Sequence, residues 1–146
     1  MIDKLFFSRM KIESFKDESA PMMNATDTHN PGLPVFDYDD FLERMDGDID
    51  LLKEVIEIFL EDSPNLMAAL RSAILVRDAE AMEKAAHTLK GAAANISAKR
   101  LQQFSQAMQE LIKKGRDSQL ERFFSDMETQ YEVLDRELRA HLCALK

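Results

Sequence analysis

From Asp117 onward, Leu120, Phe124, Met127, Tyr131, Leu134, Leu138, Leu142 and Leu145 recur every third or fourth residue, with no glycine or proline among them. That spacing follows the turn of an α-helix and lines all eight side chains along one stripe; it does not fit the two-residue alternation of a strand. A helix this long with a single apolar stripe must bury the stripe against other elements.

The preceding sequence supplies partners of the same kind. Asp37 or Asp39 can cap a short first helix carrying Phe41, Leu42 and Met45, which Gly47 stops. Asp48 can cap a second, with Leu52, Val55, Ile56 and Phe59 on one face and Leu66, Leu70 and Ile74 continuing in phase. Between them, Pro64 predicts a kink or short break, because proline lacks a backbone donor and clashes with the preceding turn. A third helix is expected from about Ala79 to Ile96 and a fourth from about Lys99 to Lys114, where Gly115 gives the stop. Four long amphipathic helices with short connections predict an all-α fold, an antiparallel four-helix bundle with a short additional N-terminal helix. Only four glycines, four prolines and no tryptophan, with 32% charged residues, agree with a helical protein.

The chain has 146 residues, enough for one domain. The bundle is assigned to residues 35–146 and a tail or linker to residues 1–34, which end in the turn formers from Thr26 to Pro34. The first eighteen residues can form a weak helix through Leu5, Phe6, Met10 and Phe15. A net charge of −8, with 27 acids against 19 bases and no basic run, excludes a nucleic-acid binder and disfavours anionic membranes. No apolar run approaches the roughly 20 residues needed to span a bilayer, and the start, Met1 to Phe7, is too short and charged for a secretory signal. A cytoplasmic protein is expected. Cys143, the single cysteine, cannot form an internal disulfide and is expected to be a small buried residue.

The third helix carries the chemistry. Met82, Ala86, Leu89, Ala93 and Ile96 fall on one narrow face, which must point inward. His87 lies well away from it, grouped with Glu83, Lys90, Gly91 and Ala94, and is predicted to meet solvent. An imidazole is substantially deprotonated near neutral pH, so one ring nitrogen can attack phosphorus without a dedicated strong base. Lys90, one turn further, can bring an ammonium to phosphate oxygens and offset their charge. Gly91 costs roughly 1 kcal/mol inside a helix relative to alanine, which implies a compensating reason: it clears space where another protein's active-site loops must approach. Glu83, Gly91 and Ala94 are therefore expected to flank a docking face. On the fourth helix, Leu101, Phe104, Met108, Leu111 and Ile112 form the inward stripe and Gln102, Gln106 and Gln109 line one flank. In an antiparallel pair Gln109 returns to the level of His87, since both lie about eleven residues from the turn near Ala98, and it can hydrogen-bond the ring or a phosphate on it. His29 and His141 lack such company and are read as ordinary surface or boundary residues.

The segment His87 to Leu101, HTLKGAAANISAKRL, resembles the signature of the histidine-containing phosphotransfer (HPt) domain family: a histidine, a lysine three residues later, an adjacent glycine, small residues, then an asparagine and an aliphatic residue. The resemblance extends from about Phe36 to Leu142 and includes a long second helix with Leu51-Leu52, Phe59 and Pro64. It implies that His87 carries the phosphoryl group, that Lys90 and Gly91 match the motif's lysine and glycine, and that Gln109 matches a glutamine found on the neighbouring helix of many members. It further implies a two-component phosphorelay, with response-regulator receiver domains and a hybrid sensor histidine kinase as partners. No bound cofactor is expected, and magnesium belongs in the partner receiver. A monomer is expected, since one bundle can bury its own stripes. Many members have glycine where Ser97 stands, and residues before Val35 have no counterpart.

Other classes fit less well. A metal site in a bundle calls for a Glu-x-x-His pair, but Glu83 lies four residues before His87 and Lys90 would repel a cation. A sensor-kinase dimerisation helix resembles His-Glu-x-x-x-Pro, which Gly91 and its neighbours do not match. An autonomous kinase is excluded by the lack of a glycine-rich phosphate loop and of room for a nucleotide-binding domain; a phosphoryl carrier is not itself an enzyme. A non-catalytic helical adaptor is the remaining alternative, and it predicts that His87→Gln leaves function intact.

Overall fold

The computed structural model describes residues 33–145. The weak helix expected in the first eighteen residues, His29 and most of the linker lie outside the described residues. Five helices follow in order: α1 (Tyr38–Arg44), α2 (Ile49–Val76), α3 (Ala79–Asn95), α4 (Lys99–Lys113) and α5 (Asp117–Leu145). The last four are joined by two- or three-residue turns, so consecutive helices must pack antiparallel. α3 packs against both α2 and α4, and α5 closes the ring against α4 and α2.

Local chemistry marks the ends. Asp37, Asp48 and Asp78 accept backbone N–H groups of Asp40, Leu51 and Ala81, each at 3.1 Å, at the starts of α1, α2 and α3. Left-handed residues make the reversals: Asp46 and Gly47 after α1, Arg77 after α2, Ser97 after α3 and Gly115 after α4. The inward stripes meet in one core, where Leu52, Ile56, Phe59 and Leu70 of α2 join Leu89, Phe104, Met108, Met127, Leu134 and Leu138.

Two expectations need correction. Of the kink or short break expected at Pro64, the break does not occur: α2 runs through the residue as one helix. Pro64 is exposed, and on the solvent side of a helix water can take the carbonyl that the missing N–H leaves unpaired, so bundle packing outweighs the local cost. Cys143 is exposed rather than buried, because the half-buried Leu142 and Leu145 occupy the inner side of the last turns. Ahead of α1, the Leu33 carbonyl accepts from Arg100 Nε (3.1 Å) and Nη2 (2.7 Å), and the Pro34 carbonyl from the Arg100 backbone N–H (3.1 Å).

α1 lies across the end of the bundle where α3 turns into α4. The Asp37 N–H donates to the Ser97 carbonyl at 3.0 Å, Arg44 Nη1 to the Ala94 carbonyl at 3.2 Å, and Lys99 Nζ lies 3.6 Å from Asp37 and 3.8 Å from Asp40. Arg44 thus puts positive charge on the carbonyl end of α3, where the helix dipole favours it. At the other side of α1, His141 of α5 stacks on Tyr38 with centroids 4.9 Å apart and meets Phe36 edge-on at 5.1 Å.

Candidate functional site

α3 is buried on one side only, because its neighbours α2 and α4 flank it and α5 lies across the core. His87 sits midway along the free side and is exposed, as are Lys84, Thr88 and Gly91, while Glu83 and Lys90 are half-buried. Among the described residues the His87 imidazole makes no hydrogen bond, so neither ring nitrogen is engaged by the fold. The neighbouring Thr88 hydroxyl donates to the Lys84 carbonyl of its own helix at 2.9 Å.

Lys90 is held differently. Its Nζ donates to Oε1 of Gln106 on α4 at 3.0 Å, and it forms no ion pair among the described residues. The ammonium therefore stays one turn from His87 with its charge uncancelled. The same antiparallel register that pairs 90 with 106 sets the half-buried Gln109 at the level of His87. Gln106 stands on the flank of α4 that the spacing predicts for Gln102, Gln106 and Gln109, but spacing alone does not single out the one that Lys90 meets.

At Gly91 a Cβ would meet nothing within 4 Å. Among the described residues no packing requires glycine there, and the position is exposed.

Ala94 does not belong to this face. It is only 5% exposed and its carbonyl is bound by Arg44. A helical wheel drawn for α3 alone places it beside Lys90, but Arg44 of α1 reaches its carbonyl and Ala92 to Asn95 are all buried, so the open face ends at Gly91. Ala94, expected to flank the docking face, is buried instead.

Among the described residues no cluster of three or more potential metal ligands occurs, and no helix is long and apolar enough to cross a membrane. The sequence matches the Hpt domain family over residues 54–145, which contain α3, α4 and α5 entire and most of α2.

The chain belongs to the Hpt domain family.

The HPt bundle also resembles a solved structure, the histidine-containing phosphotransfer protein B (HptB) of Pseudomonas aeruginosa PAO1, with a TM-score of 0.71 at 20% identity over 76% of this chain and 96% of that one. At that identity the likeness establishes the shared fold. Among curated proteins, none matches the sequence. Family membership gives this HPt domain a histidine phosphotransfer role in two-component signalling. It leaves α1 and the first turn of α2 outside the family match, although they pack on the same core.

Proposed function

We propose that His87 accepts a phosphoryl group from the phospho-aspartate of a response-regulator receiver domain and relays it to another receiver, reversibly. The observation that carries this reading is the pairing of an exposed, unengaged imidazole with an uncancelled lysine charge one turn away. One ring nitrogen attacks phosphorus with its lone pair as the bond from phosphorus to the aspartyl oxygen breaks. The carboxylate leaves with the bonding electrons, and the N-phosphorylated ring keeps its proton on the other nitrogen. The reverse step regenerates free imidazole.

In this scheme Lys90 offsets charge on the phosphoryl oxygens, Gln109 hydrogen-bonds the ring or its phosphate, and Gly91 with Glu83 borders the surface that the receiver covers. The receiver supplies an acidic pocket with a magnesium ion, which stabilises the charge of the transferred group. The HPt domain supplies a positioned nucleophile, needs no cofactor of its own and does not act as a kinase. It serves as a monomer in the cytoplasm beside its receivers and a hybrid sensor histidine kinase.

The test is phosphoryl transfer from a panel of receiver domains charged with acetyl phosphate, to the wild type and to His87→Gln. Acid-labile, alkali-stable label on the wild type alone is expected. Equal labelling of His87→Gln overturns the assignment, and no transfer from any receiver to a folded protein favours the adaptor.

A further inference from the structure

The proposed function leaves open what fixes the Lys90 side chain one turn from His87 without cancelling its charge. A lysine ammonium has three donors and no acceptor, so the partner it finds decides its electrostatic value. In a chain with 27 acids and 19 bases, the ordinary partner is a carboxylate, which cancels the charge. Here the partner is a neutral amide, 3.0 Å away and on a different helix. Gln106 is half-buried on α4, which packs directly on α3. Its own helix fixes where the amide stands.

We infer that Gln106 is a positioning residue for phosphoryl transfer: its side-chain oxygen orients the Lys90 ammonium toward the group carried on His87 while leaving the full positive charge available. This rests on the reading of His87 as phosphoacceptor. Gln106 acts through Lys90 and touches no reacting atom. An amide suits this task better than a carboxylate, because it restricts the flexible lysine side chain without neutralising it, and better than an apolar residue, which would leave the ammonium free to turn outward.

The inference separates three substitutions. Gln106→Met keeps the volume and removes the acceptor. Gln106→Glu keeps an acceptor and cancels the charge. Lys90→Met removes the charge itself, and Lys90→Met with Gln106→Met closes a double-mutant cycle. His87 is phosphorylated chemically with phosphoramidate, so that the readout does not depend on the choice of receiver, and both the labelling rate and the lifetime of the phosphohistidine are measured in proteins whose helicity matches the wild type.

In the wild-type background Gln106→Met is expected to slow labelling by about three- to tenfold, the scale of one ordinary net hydrogen bond. Gln106→Glu is expected to slow it further. In the Lys90→Met background Gln106→Met is expected to change nothing. A merely structural Gln106 gives the same loss in both backgrounds, and that result overturns the inference. So does a Gln106→Glu protein as fast as the wild type, or Gln106→Met without effect beside a slow Lys90→Met. A wild type that takes no label on His87 overturns instead the phosphoacceptor reading on which the inference rests.

Discussion

The Ser97 hydroxyl donates to Oδ2 of Asp40 at 2.6 Å, tying the turn between α3 and α4 to α1. Ser97 is in the left-handed region at φ 58°, a conformation that costs a non-glycine residue about 1–2 kcal/mol, and its side chain is 1% exposed. The charged hydrogen bond offsets that strain. Ser97→Ala keeps the strain and loses the bond, so it is expected to lower unfolding free energy by about 1–3 kcal/mol. Ser97→Gly loses the bond but relieves the backbone, and is expected to stay within about 1 kcal/mol of the wild type. Urea denaturation of the two variants checks the order; a Gly variant less stable than the Ala variant would contradict it.

Asp40 gives the same junction a pH dependence. Burial alone would raise its carboxyl, but the Ser97 hydrogen bond and the charges of Arg44 and Lys99 outweigh it and hold the group below the usual aspartate range. A group depressed on folding stabilises the protein fully above its unfolded value, about 3.9, and loses that contribution as pH falls through the lower folded value. The stability advantage of the wild type over Asp40→Asn is therefore expected to be constant from neutral pH to about pH 5 and to shrink below about pH 4. Denaturation curves for both proteins along a pH series read this difference, and an advantage undiminished in acid would rule out the depressed carboxyl.

Element type and order were legible because the apolar spacing in α2 to α5 is long and regular, and aspartates and glycines mark the ends. The exposure of His87 followed from the same wheel. What the wheel could not contain was contact between helices remote in sequence. Ala94 is buried and its carbonyl is bound by Arg44 of α1, some fifty residues earlier, and no property of α3 announces it. Pro64 carries a strong local signal for a break, which tertiary packing on both sides overrides. Ser97 resembled a mild departure from a glycine, and only its bond to Asp40 explains how serine tolerates the place. Gln106 stood on the expected flank, yet its choice by Lys90 depends on side-chain reach that spacing does not encode.

Gly91 separates stability from docking. With open space around a Cβ, Gly91→Ala is expected to raise unfolding free energy by about 1 kcal/mol through helix propensity alone, seen as a higher midpoint in thermal unfolding monitored by helicity. Gly91→Leu starts from an exposed position and is expected to fold normally while weakening capture of a phosphorylated receiver. A loss of stability in the alanine variant would mean that glycine serves the bundle itself, and unchanged receiver affinity in the leucine variant would remove Gly91 from the docking face.

Inside the bundle, Ser63 of α2 and Tyr131 of α5 share a hydrogen bond of 2.8 Å between their hydroxyls, and the Ser63 side chain has no exposure at all. Burial pushes the Tyr131 phenol above its ordinary range, with the Ser63 hydrogen bond only partly opposing it. Tyr131→Phe strands the serine hydroxyl in the core and is expected to cost about 1–3 kcal/mol. Ser63→Ala strands a phenol that is only half-buried and can turn to water, so its cost is expected to be smaller. Removing both hydroxyls leaves no polar atom of the pair unsatisfied, and the double variant is expected to be more stable than Tyr131→Phe alone. Chemical denaturation of the four proteins completes the cycle. Strictly additive losses would mean that the two hydroxyls do not depend on each other, and that α2 and α5 are held at this level by apolar packing alone.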